Sequence, residues 1–413
     1  MRIVVDLQGC QTSTSKDRGI GRYSLALAQA MARNAGDHEI WLALNGDLKD
    51  TVDQVRSQFS GLVPPDRIRA FDASPRVAGM RIPKPVPKGL RRRVQELRRE
   101  AFLTSLEPDF VHLSSLFEGG EAVTSVGRQG STASQAITLY DLIPLLNPRM
   151  HLKTRGLRAW YRRKLRSAKR ADLLLAISES SRLEAIEALH ISDERVVNIS
   201  SAVDPIFRPV QLAAAKENQL RARYGLGGRF MMYTGGLDRR KNVDGLIAAY
   251  AALPPELRQT HQLMVVCAMD EKDRIRLGSA VKHHGLNGND VIFPGFIPED
   301  DLVALYNLCT LFVFPSLHEG FGLPILEAMG CGAPAIGANN SSIPEVIGLD
   351  EALFDASCTE SITAKMAEVL RDSALRQALS SHGLKQAATF SWDRSAIKAL
   401  TAMETVRSRL PQG

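Results

Sequence analysis

The segment Phe314-Pro-Ser-Leu-His-Glu319-Gly320-Phe321-Gly322-Leu323-Pro324-Ile-Leu-Glu327-Ala-Met-Gly330 carries two glutamates eight positions apart around a Gly-Phe-Gly turn. The apolar run 311–314 at its start reads as a buried strand, and Pro324 suits the first turn of a helix, where its missing N–H costs nothing. Strand, glycine turn and helix make one βα unit of a parallel sheet. The glycines let the backbone approach a ligand, and the N–H groups of residues 322–325 would face it with the positive end of the helix dipole. Such a site suits a diphosphate. Glu319, in the turn, is placed to accept hydrogen bonds from sugar hydroxyls. Glu327, a turn into the helix, is placed to take a ribose diol, since an ionised carboxylate offers only acceptors. Either glutamate alone reads equally well as a solvated helix-start residue; the whole string does not.

A second turn agrees with the first. The strand expected at 230–233 runs into Thr234-Gly235-Gly236-Leu-Asp-Arg-Arg240-Lys241-Asn-Val. Parallel sheets bind ligands at the C-terminal ends of their strands, so Arg240 and Lys241 can neutralise charge growing on a departing diphosphate. The plain alternative is a solvated turn. No Asp-x-Asp pair occurs and the nine histidines lack His-x-x-x-His spacing, so metal independence is expected and Glu299-Asp300-Asp301 reads as a helix-opening turn. A third turn, Arg18-Gly19-Ile-Gly21-Arg22-Tyr23, follows the first strand. It fails as a dinucleotide fingerprint, because the third glycine is missing and the next strand ends at Asn45 without an acid.

Strand and helix patterns alternate along all 413 residues, which argues for parallel sheets covered on both faces. Strands are expected at 3–7, 40–44, 110–113, 136–140 and 173–177, then at 230–233, 262–266, 291–293, 311–314 and 335–336. A charged helical stretch between 204 and 228 separates the two sets, which is enough chain for two domains. Ser181-x-x-Glu184 and Ser342-Ile-Pro-Glu345 read as capping boxes. Five scattered cysteines without a Cys-x-x-Cys pair argue against a disulfide framework and for a reducing compartment. No apolar run reaches membrane-spanning length, and the acidic residue at position 6 argues against a signal peptide.

In this order and spacing, the three turns resemble the family-4 retaining glycosyltransferases with the GT-B fold, over nearly the whole chain. The resemblance implies two Rossmann-like domains with parallel sheets facing a central cleft: 1–205 for the acceptor, 206–390 for the donor, and 391–413 as a helix returning to the first domain. It implies that Glu319 and the backbone of Gly320, Phe321, Gly322 and Leu323 hold the donor sugar and that Glu327 holds the ribose. Arg240 and Lys241, beside Gly235 and Gly236, would hold the diphosphate. Gly19 and Gly21 would line the cleft, with Arg18 and Arg22 towards the acceptor. Tyr140-Asp141-Leu-Ile-Pro144 is similar to the His-Asp-Leu-Ile-Pro segment of bacterial polysaccharide mannosyl- and rhamnosyltransferases, with Tyr140 where a histidine is usual. A sugar contact there would fall to the backbone carbonyl, and Asp141 either binds the acceptor hydroxyl or caps the chain from Leu142 onward.

The resemblance further implies transfer of a hexose from a nucleotide diphosphate sugar, GDP-mannose or a GDP-rhamnose-like donor being favoured, with no cofactor. The acceptor would be a glycan or lipid-linked glycan in polysaccharide or O-antigen lipopolysaccharide synthesis. Residues 1–205 hold 31 Lys and Arg against 23 Asp and Glu, so the net charge of +7 belongs to the first half. It concentrates at 81–99, where Leu90, Val94, Leu97 and Ala101 form an apolar stripe, and at 153–170, with Trp160 and Tyr161. Basic amphipathic helices suit an anionic leaflet, which gives an expected location in the cytoplasm and at the inner face of the membrane; the plain alternative is a solvated outer face. A GT-B sugar-nucleotide epimerase and a basic nucleic-acid-binding protein are the rival readings. The first lacks a compelling acid–base pair and the second lacks interleaved stacking aromatics.

Overall fold

The structure, a computed structural model, describes all residues except 17–18, 73–75, 78–79, 82–87, 127–132 and 410–413, with backbone alone at 76–77, 80–81 and 88. The chain divides into two compact units, Met1–Ser201 with Trp392–Gly413, and Ala202–Ser391.

The first unit is built on seven parallel strands: β1 (Arg2–Asp6), β2 (Glu39–Asn45), β3 (Ile68–Phe71), β6 (Phe110–Leu113), β7 (Ser134–Leu139), β8 (Leu173–Ala176) and β9 (Val196–Asn198). They lie in the order β3-β2-β1-β6-β7-β8-β9, with a short antiparallel ribbon of β4 (Arg76–Val77) and β5 (Met80–Arg81) apart from them. The central strands β6, β7 and β8 are buried at every position because helices cover both faces. The second unit has six parallel strands, β10 (Arg229–Thr234), β11 (His261–Val266), β12 (Val291–Gly295), β13 (Leu311–Phe314), β14 (Ala335–Ala338) and β15 (Leu353–Phe354), ordered β12-β11-β10-β13-β14-β15. Chain order reverses between β10 and β13, and in the first unit between β1 and β6. Open parallel sheets leave a ligand crevice at that reversal.

All ten expected strands are present. Those the sequence reading lacked, β3, β9 and β15, are short strands at sheet edges, plus the β4–β5 ribbon. Two local expectations, the capping boxes, are corrected. Ser178, not Ser181, caps the Glu179–Leu189 helix, its side chain accepting from the Ser181 N–H at 2.9 Å. Ser342 precedes the Ile343–Ile347 helix without capping it, because its hydroxyl points elsewhere. The Lys88–Ser105 helix turns Leu90 and Leu97 outward, 55% and 44% exposed, and Arg99 inward. Arg99 is 1% exposed and pairs with the equally buried Asp6, its Nε at 2.7 Å from Oδ2. The last helix, Trp392–Arg409, packs on the Gly19–Arg33 helix, with Trp392 edge-on to Tyr23 at 4.9 Å. Among the described residues no helix is long and apolar enough to cross a membrane.

Candidate active site

β10 and β13 are hydrogen-bonded neighbours, so the turns that leave them emerge side by side at the reversal point of the second sheet. The Leu317 N–H donates to the Arg240 carbonyl at 2.7 Å, and Arg240 Nη1 donates to the His318 carbonyl at 2.6 Å. This stitching brings three charged groups together. Glu319, 7% exposed, accepts from Arg240 Nη1 at 2.8 Å through Oε2 and from Lys241 Nζ at 2.6 Å through Oε1. Burial would raise the Glu319 carboxyl, but the charges of Lys241 and Arg240 outweigh it and hold the group below the usual carboxylate range. Lys241 Nζ also lies over the Phe314 ring, 5.6 Å from its centroid. The glutamate is therefore engaged by both cations, and a carboxylate so held still has acceptor capacity to offer a hydroxyl.

The helix expected after the glycines spans Leu323–Gly330, with Pro324 in its first turn. Gly322 precedes it at φ +109°, and a Cβ there would stand 2.7 Å from Ile343 Cδ1, so only glycine fits. The Ile325 N–H returns to the Gly322 carbonyl at 3.2 Å, and Pro324 has none. The four expected anion donors thus narrow to Gly322 and Leu323 at most. Glu327 sits on this helix and accepts from the Tyr306 hydroxyl at 3.0 Å; burial and the nearby carboxylate raise the Tyr306 phenol, which stays a donor. Gly235 and Gly236 lie in the β10 turn. A Cβ on Gly235 would meet the Tyr233 hydroxyl at 2.5 Å, and that hydroxyl donates to the Gly236 carbonyl at 2.8 Å.

Sequence reasoning missed the brace under the motif. The Glu319 N–H donates to Ser341 Oγ at 2.9 Å, Ser342 Oγ donates to the carbonyls of Glu319 and Phe321, and Asn340 Nδ2 donates to the Ser316 carbonyl. The Asn339-Asn340-Ser341-Ser342 cluster after β14 was the available signal; it had been absorbed into a capping reading.

The first-unit residues divide differently. Arg18 lies outside the described residues. Gly19 opens a helix, and Gly21 is a packing glycine, because a Cβ there would meet the Ser15 carbonyl oxygen at 2.4 Å. Arg22 is exposed. The Tyr140 hydroxyl is taken up internally by Ser24 Oγ at 2.9 Å and the Ser114 carbonyl at 3.0 Å, and its carbonyl accepts from Ser181 Oγ at 2.8 Å. The hydroxyl is thus engaged within the first unit, and burial raises the phenol pKa. Asp141 accepts from the Ile143 N–H at 3.0 Å, the local capping contact foreseen as one of its two roles. Among the described residues no group of three or more His, Cys, Asp or Glu is placed to hold a metal.

Comparison with known proteins follows the same division. The model for Glycosyltransferase Family 4 matches residues 18–207, and that for glycosyl transferases group 1 matches residues 217–386. The chain belongs to the glycosyltransferase family that these two models describe. It is 37% identical to the serotype-specific mannosyltransferase WbdA of Escherichia coli over 97% of this chain and 47% of that one, so it spans about half the length of that relative. It is 28% identical to the O-antigen chain mannosyltransferase B of Escherichia coli over 93% of this chain and 95% of the other. Sucrose-phosphate synthase of Thermosynechococcus elongatus superposes with a TM-score of 0.70 at 19% identity, covering 99% of this chain and all of that one. The fold is GT-B, two Rossmann-like domains with seven- and six-stranded parallel sheets.

Proposed function

We propose that the chain transfers mannose with retention of configuration from GDP-mannose to a mannose-bearing glycan of a bacterial polysaccharide such as an O antigen. The observation that carries this reading is the Arg240–Glu319–Lys241 cluster at the β10–β13 reversal, where a diphosphate meets two cations and a sugar meets a carboxylate. The names of the relatives support mannose and an O-antigen acceptor. As the anomeric C–O bond to the diphosphate breaks, negative charge grows on the leaving oxygen and Arg240 and Lys241 offset it. The acceptor hydroxyl enters from the same face and passes its proton to that oxygen. Glu319 is poorly suited to act as a nucleophile, because each of its oxygens is held by a cation. A thermal-shift screen across GDP-, UDP- and dTDP-sugars tests the donor. A ligand at a hundred times its Kd adds about 2.7 kcal/mol, so the GDP-sugar should stand out. A larger shift with UDP- or dTDP-sugars refutes the donor, and an inverted product in NMR refutes retention.

Charge compensation by side chains alone leads us to expect full activity in excess EDTA. Loss of activity restored by Mn²⁺ or Mg²⁺ would overturn that.

Attachment to an anionic leaflet is the remaining part of the reading. Exposed Leu90, Leu97 and Ala101 among Arg91, Arg93 and Arg98 support it. The aromatic edge at 153–170 supports it less, because Tyr161 is 3% exposed and packs on Phe117 at 5.0 Å. Sedimentation with phosphatidylglycerol vesicles but not phosphatidylcholine vesicles, lost in high salt, is the expected result.

A further inference from the structure

A concavity of about 490 Å³ in the first unit has no part in the reading above. Gly119, Gly120, Ala122, Val123 and Thr124, in the chain that follows β6, line one side of it. Its two walls differ in chemistry. The Lys88–Ser105 helix presents Arg92, Gln95 and Glu96, polar groups three and four positions apart and hence on one face. The Arg155–Arg170 helix presents Leu157 and Trp160, which are likewise three apart. The polar wall is held in place, with Glu96 2.9 Å from Arg163 Nη1 and 3.6 Å from Arg92 Nε. The indole is held by packing against the core cluster that contains Tyr161 and Leu165. Buried Lys164 donates to Thr124 Oγ1 at 2.6 Å, tying the loop to the Arg155–Arg170 helix.

We infer that this pocket binds one hexose residue of the acceptor glycan, a residue other than the one that receives the new sugar. A pyranose ring has a face of C–H groups and a rim of hydroxyls. The face stacks on an aromatic plane, while the rim exchanges hydrogen bonds with amide, carboxylate and guanidinium groups. A pocket lined both by Trp160 and by Arg92, Gln95 and Glu96 offers a partner for each surface. A phosphate matches worse, because Glu96 stands in the polar wall and takes up the charge of Arg92 and Arg163. The lining includes none of Gly19, Gly21, Arg22, Tyr140 or Asp141, so the pocket is a second hold on the chain and not the transfer position. This inference rests on the proposal that the substrate is a glycan, and needs neither the donor nor the transfer step.

Calorimetric titration of linear mannotetraose without donor tests it, on the wild-type chain, Trp160→Ala and Gln95→Ala, with sodium phosphate as a second probe. The tetrasaccharide Kd should rise about tenfold in Trp160→Ala and several-fold in Gln95→Ala. In turnover, the KM for mannotetraose should rise while kcat, the donor KM and the KM for methyl mannoside stay at wild-type values. Equal tetrasaccharide affinity in all three proteins, no binding to the wild type, or binding of phosphate alone would each overturn the inference. Trp160-dependent binding without any mannose transfer would remove the proposed function and leave the pocket. Mannose transfer with an unchanged tetrasaccharide KM in both variants would do the reverse.

Discussion

Glu319 pairs with both Arg240 and Lys241, and under the proposed function it would have to share those cations with the diphosphate of an arriving donor. Lys241→Ala leaves the leaving group's charge half compensated in a sheltered site and frees one oxygen of Glu319. Turnover should fall about a hundredfold or more, as it does when one preorganised donor is removed. Steady-state rate and donor affinity both within threefold of wild type would displace the phosphate site from the β10 turn. Glu319→Gln should act mainly on kcat, because its contacts strengthen as positive charge develops on the sugar ring. Glu327→Gln, and Tyr306→Phe through it, should act mainly on donor KM, because a ribose contact is the same in ground and transition states. The opposite split would mean that the donor runs the other way through the motif. Since the charges beside Glu319 outweigh its burial and lower its pKa, its stabilising contribution is complete above the ordinary carboxyl pKa of 4.5 and fades only as pH falls below it.

Among the elements, the Arg155–Arg170 helix carries an unusual group. Burial, then the charges of Arg92 and Arg163, lower the Lys164 pKa to about 7, and the side chain is 2% exposed. The folded chain releases this proton near pH 7, whereas the unfolded chain holds it to about 10.5. Between those values the unfolded state binds more protons, so this residue makes stability rise with pH, by at most about 1.4 kcal/mol per unit. The Cys10 thiol in the same unit, pushed up by burial, pulls the other way above about 9. The difference between wild type and Lys164→Met, followed by denaturant unfolding from pH 7.5 to 8.5, isolates the lysine. The wild type should gain stability relative to the variant across that range; parallel curves would show that Lys164 stays charged in the folded chain.

At the scale of the whole molecule, the last helix belongs with the first unit although it follows the second in sequence. Trp392 covers Tyr23, and Arg33 reaches Asp393 at 3.0 Å. Trp392→Ala, at a half-buried aromatic, should therefore lower the stability of the first unit by about 2–3 kcal/mol. Calorimetry should show the first unit's transition moving down while a GDP-sugar still protects the second. A shift confined to the ligand-protected transition would contradict this assignment.

The central strands and the turns after β10 and β13 were legible in the sequence because their signals are local. Apolar runs of four or five residues that alternate with helical stretches read as buried strands, and Glu319, Glu327, Arg240 and Lys241 sit at fixed offsets from such runs. Strands β3, β9 and β15 were not legible, since an edge strand of two to four residues owes its pairing to its neighbour. Nor was the inward Arg99, whose partner Asp6 is 93 positions away. Ser342 illustrates the same limit: its sequence context says cap, and only the approach of the β13 turn makes its hydroxyl a brace for Glu319 and Phe321. Local patterns record what a segment would do alone. Which buried polar group pairs with which, and so that Glu319 waits between two cations, depends on distances that exist only once β10 and β13 lie side by side.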